Sequence, residues 1–168
     1  MRVWGALLVC GLALLGCGDE TGSNGTLSVV DEFKRETGLD FDRCPTVEQH
    51  WKACGDEDCT CGADELAGFE CIERAWGACT PAQLTVRHFV ATGDWLQTDL
   101  LVLPGEVGCR VVEFYDETPS PACKTIARSD CEGVGHVSTL WECSIGTGGC
   151  GDRVVVVKDP DHPSCNGR

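Results

Sequence analysis

Cys59, Thr60 and Cys61 are the residues of this sequence best spaced for chemistry, because two closely set thiols can cycle between dithiol and disulfide. The surroundings work against that use. Asp56, Glu57 and Asp58 stand immediately before the pair, and nearby carboxylates raise a thiol's pKa and deplete its thiolate. Cysteines two apart also point to opposite sides of an extended chain, so a direct bridge between them needs a tight turn. Two separate structural disulfides are the simpler reading of Cys59 and Cys61. A thiol-disulfide oxidoreductase using those two residues is the alternative.

Metal chemistry has less support. Cys54, Cys59, Cys61 and Cys71 with His50 offer thiolate and imidazole suited to zinc, but no spacing fixes four ligands. Asp56 to Glu65 lacks the glycine and closing glutamate of a calcium loop at the required offsets. His50, His88, His136 and His162 belong to no hydrolase, zinc-protease or phosphate-loop motif. Trp51, Trp76, Trp95 and Trp141 can line a groove, although large aromatics are more often core. The sequence therefore nominates no catalytic residue, no metal site and no cofactor.

The compartment decides how the cysteines are read. Fourteen cysteines in 168 residues is a set expected to pair once the chain is exported. Met1-Arg2 opens the chain with a positive charge, and an uncharged run follows from Val3 to Cys17, ended by Gly18-Asp19-Glu20. This is the pattern of an export signal, shorter than the ~18 to 20 residues a permanent transmembrane helix needs.

Within it, Leu14-Leu15-Gly16-Cys17 resembles the lipobox of bacterial lipoproteins, with Leu15 where a small residue is commoner. The resemblance covers only the targeting segment. It implies cleavage before Cys17, a diacylglycerol joined to that sulfur by a thioether, and acylation of the new amino terminus. Several acyl chains, each contributing about 0.8 kcal/mol per buried methylene, give stable anchoring where one gives little. Gly18 rather than aspartate follows the cysteine, which by resemblance to enterobacterial sorting implies the outer membrane. Parity agrees with the lipid: with Cys10 in the leader and Cys17 acylated, the remaining cysteines form an even set.

Those twelve are Cys44, Cys54, Cys59, Cys61, Cys71 and Cys79 in one half, then Cys109, Cys123, Cys131, Cys143, Cys150 and Cys165 in the other. The six-and-six division predicts two separate local frameworks. With 13 basic against 27 acidic residues the chain carries a formal charge of −14, so nucleic acid is excluded as a natural partner. An envelope protein or polymer fits better.

The elements that must position these residues are read from periodicity. Residues 17–43 are expected as a lipidated, flexible tether, with a short, weakly amphipathic helical pattern from Ser28 to Gly38. Residues 44–81 read as a helical part. It opens with a helix capped by Thr46 and Gln49 and stopped by Gly55, followed by a longer one over Asp64 to Trp76 whose stripe is Leu66, Phe69, Ile72 and Trp76, ended by Gly77. Residues 82–168 read as strands at Leu84 to Thr92, Trp95 to Leu103, Cys109 to Tyr115, Lys124 to Arg128, Val137 to Cys143 and Arg153 to Val157. The expected fold is α+β: short helices, then an antiparallel sheet or small barrel of about six strands, in one disulfide-rich head spanning 44–168. The expected function is that of a membrane-anchored, non-catalytic lipoprotein of the cell envelope.

Overall fold

The computed structural model describes residues 24–50, 60–89, 95–116, 125–139 and 142–158. The proposed lipidation residue Cys17, together with Cys54, Cys59, Cys123, Cys165, Trp51, Trp141 and His162, lies outside the described residues.

Helix α1 runs over Asn24–Thr37. Val29, Val30 and Phe33 form its buried face, and Lys34 and Arg35 in the last turn complement the negative end of the helix dipole. Gly38 closes it at φ 66°, a left-handed conformation that glycine adopts without steric cost. The expected tether of 17–43 is therefore corrected over its second half. From Asn24 onward the chain is helix and then strand, because three apolar side chains find a partner surface that local polarity does not reveal. Arg128 stacks its guanidinium 4.6 Å from the Phe33 ring centroid, and Phe33 meets Phe114 edge-on at 5.4 Å.

Strands β1 (Asp42–Arg43) and β2 (Val47–His50) follow, and both pair in parallel with β3 (Ala82–Phe89). Over Val47–His50 the helix expected to start at Thr46 is thus a strand, and its remainder to Gly55 lies outside the described residues. Val47, 1% exposed, packs in the core and lies opposite Val86, and Gln49 sends its amide to the Cys143 carbonyl at 3.1 Å instead of capping a helix. Burial of a β-branched residue outweighs the local capping signal.

Helix α2 (Ala63–Ala78) confirms the longer helix. Glu65 Oε2 accepts the Gly62 N–H at 2.7 Å at its start. Phe69 and Ile72 are fully buried, with Leu66 and Trp76 packed beside them as the stripe predicts. Gly68 lets the helix lie close to β2, since a Cβ there would run into the Val47 side chain and stand 2.9 Å from the Pro45 carbonyl. The expected stop at Gly77 is displaced: the helix continues to Ala78, and Cys79, bonded to Cys109, takes the left-handed position at φ 55°.

Strands β4 (Trp95–Pro104), β5 (Cys109–Asp116), β6 (Thr125–Cys131) and β9 (Val154–Lys158) complete a seven-stranded sheet of order β1-β3-β4-β5-β6-β9, with β2 also on β3. Beyond β3 every pairing is antiparallel. Leu100-Leu101-Val102-Leu103 is buried throughout because the sheet is covered on both faces. Leu100 and Val102 face α2, whereas Leu101 and Leu103 face α1.

The single strand expected over Val137 to Cys143 is instead divided between two paired strands: Val137 and Ser138 end β7 (Gly133–Ser138) and Cys143 opens β8 (Cys143–Gly148). Thr139 N–H donates to the Glu142 carbonyl at 2.8 Å next to the ends of the two strands. Glycine-rich strands of this kind have little β-propensity. External ties hold the hairpin: Glu73 of α2 accepts the His136 N–H at 2.7 Å, and Cys143 is bonded to Cys61. The molecule is a disulfide-rich α+β domain, as expected.

His88 follows Leu84 and Val86 along β3, and burial lowers its pKa below the usual 6.5. With a folded pKa below the unfolded one, the associated stability is fully present above about pH 6.5 and is lost as pH falls toward the folded value. Urea unfolding midpoints measured between pH 7.5 and 5 are expected to fall, and His88→Gln is expected to flatten that decline.

Candidate functional site

Among the described residues, four disulfides join Cys44 to Cys71, Cys61 to Cys143, Cys79 to Cys109 and Cys131 to Cys150. Two of them cross between the halves, which corrects the expectation of separate local frameworks. The reason is spatial. The chain lays α2 across the face of the sheet, so the residues at its two ends, Cys61 and Cys79, meet Cys143 of β8 and Cys109 of β5 with Cα separations of 4.9 and 5.4 Å. Three of these bonds tie α2 or its flanks to the sheet and hairpin.

Cys61 bonded to Cys143 is not one member of a couple with Cys59 in this oxidised form. Cys61 and Cys71 likewise belong to different disulfides, so they do not offer two thiolates to a common zinc ion. Asp64 and Glu65, at the end of the acidic segment weighed and set aside as a calcium loop, occupy the first turn of α2, and Glu65 is engaged as its cap. Glu113, Cys131 and Cys150 bring their donor atoms within 4.8 Å of one another. With the two sulfurs already joined, that group retains only the carboxylate as a strong ligand.

The aromatic and histidine candidates are dispersed. Trp76 packs against the core, while Trp95 is 41% exposed and meets Phe89 edge-on at 5.2 Å. His136 Nδ1 lies 2.8 Å from Glu73 Oε1, and its ring stands against Phe69. The pair fastens the hairpin to α2.

A polar site that sequence reading did not single out lies on the α1 face of the sheet. Strand alternation places Gln83, Thr85 and Arg87 of β3 on one side, opposite the side that holds Ala82, Leu84 and Val86. Register brings Thr85 beside Asp99 of β4, and Gln97 is two residues away on the same face. Asp99 is fully buried. It accepts hydrogen bonds from Gln83 Nε2 at 3.0 Å, Gln97 Nε2 at 2.7 Å and the Thr85 hydroxyl at 2.5 Å. Lys34 of α1 donates to Gln83 Oε1 at 2.9 Å, so the amide of Gln83 connects a helix cation to the buried carboxylate.

Above this floor opens a pocket of about 180 Å³ walled by Asp31, Arg43, Thr46, Gln83, Thr85, Arg87 and Gln97. Arg87 pairs loosely with Glu48 at 3.6 Å, both half-exposed, and a pair of that kind contributes little to stability. The readable signal was the change within β4, where Gln97 and Asp99 precede Leu101 and Leu103 on one face. Buried polar side chains in a row that is otherwise apolar mark a site or a specificity device. No family model, curated protein or solved structure matches the chain, so its functional reading rests on its own residues and geometry.

Proposed function

We propose that the chain is a lipid-anchored lipoprotein of the bacterial cell envelope, attached through Cys17 and displaying a disulfide-stapled head with a non-catalytic binding or structural role. The observation that carries this reading is Leu14-Leu15-Gly16-Cys17 at the end of an uncharged run that begins after Arg2. The four disulfides support it, because such bonds persist in oxidising compartments. Gly18 after the acylated residue favours the outer membrane. The polar pocket supports binding over a purely structural part, and the partner would be an envelope protein or polymer.

Cys17→Ser tests the anchor. In cells fed labelled palmitate, the native chain is expected to carry label and sediment with membranes. The variant should lose the label and drop at least about tenfold in the membrane fraction, as expected when the acyl chains that give stable attachment are lost. An unlabelled native chain recovered from the cytosol with reduced thiols and its leader uncut would refute the proposal.

A further inference from the structure

We propose that the pocket on the α1 face binds a small monocarboxylate carrying a hydroxyl or amide group, with Arg43 as the residue that grips the carboxylate. This deepens the binding role proposed above and is separable from the anchor. An unacylated Cys17 would end the anchoring reading and leave the pocket standing.

The charge at the site selects the ligand. Carboxylates outnumber basic groups 27 to 13 in this chain, yet Arg43 makes no ion pair among the described residues. A guanidinium offers a planar fork of donors that matches a carboxylate in two parallel hydrogen bonds. Arg43 stands beside Gln83 in the parallel register of β1 and β3, so its side chain and the polar row of β3 share one face.

The acidic groups narrow the choice further. Asp31 lies in the wall and Asp99 beneath the floor. Arg87 in the same wall is paired with Glu48 and Lys34 is engaged by Gln83, so among the described residues Arg43 is the cation left for a ligand, and beside Asp31 and Asp99 it suits a single negative charge better than a dianion such as phosphate. The amides and hydroxyl of Gln83, Gln97 and Thr85 suit a neutral polar group behind that charge. Size agrees as well. A cavity of about 150 Å³ holds a molecule as large as benzene, so 180 Å³ accommodates a ligand of similar dimensions.

The floor is organised before any ligand arrives. Asp99 holds both glutamine amides and the Thr85 hydroxyl in fixed directions, and Lys34 fixes the other end of Gln83. Groups already ordered lose little entropy on binding, which is how a small open pocket reaches useful affinity.

The test is a titration of the full-length oxidised chain with lactate, followed by the side-chain amide signals of Gln83 and Gln97 in nitrogen-15 NMR spectra. Lactate is expected to shift both saturably in the millimolar range. Arg43→Ala should weaken binding about tenfold or more, consistent with loss of a charge-assisted hydrogen bond. Arg110→Ala, outside the pocket, should leave binding unchanged. Arg43 is exposed, so the variant's unaltered spectrum elsewhere would show that the fold is intact. Absence of saturable shifts overturns the assignment. So does equal binding by Arg43→Ala, or an equal response to glucose or inorganic phosphate, which would place the site in another ligand class.

Discussion

Replacing Cys61 and Cys143 together by serine is expected to lower unfolding free energy by about 4 kcal/mol, seen as a lower urea midpoint by circular dichroism. The bond spans 82 residues, so its removal frees a long loop in the unfolded chain. It also releases the β7–β8 hairpin, whose glycine-rich strands depend on external ties. The matching replacement of Cys131 and Cys150, which spans only 19 residues, is expected to cost about 3 kcal/mol. An equal or larger loss from the shorter bridge would contradict the view that loop length and the release of the hairpin set the cost of losing the bond between Cys61 and Cys143.

Asp99→Ala is expected to destabilise the chain by about 3 kcal/mol, because it strands three donors at once. Each buried donor left without an acceptor costs about 1 to 3 kcal/mol, and solvent entering the pocket would recover part of that for those nearest the opening. Asp99→Asn keeps one carbonyl oxygen and should lose clearly less. Urea melts of the two variants check the order. A cost for Asp99→Ala below about 0.5 kcal/mol, within the range of an ordinary surface change, would mean that the polar row is not the organised floor described above.

The elements that were legible in the sequence are those whose own pattern matches their burial. Leu66, Phe69, Ile72 and Trp76 repeat at helical spacing and do face the core from α2. The runs that became β3, β4 and β5 are rich in β-branched and apolar residues, and they form the centre of the sheet.

Illegible elements are those decided by contacts remote in sequence. Thr46 and Gln49 spell a helix cap, but Val47 has a place opposite Val86 and beneath Gly68 that no local signal reports. Gly133, Gly135, Gly146 and Gly148 look like breaks and instead pair with each other across a hairpin. The division of cysteines into two sets failed for the same reason, since α2 lies over strands that come much later in the chain. The pocket was hidden because Gln83, Thr85, Gln97 and Asp99 read singly as strand polar positions, and only the β3–β4 register gathers them.

Cys44 is the first described cysteine, and α1 lies wholly before it. Tension entering from the amino-terminal side therefore meets α1 and β1 before any disulfide among the described residues. Those pieces can peel away, but at Cys44 the load passes into the bond with Cys71 and from there to a helix riveted at both ends. The head would yield one helix of slack and then stop, behaving as a short shock absorber in series with a hard knot.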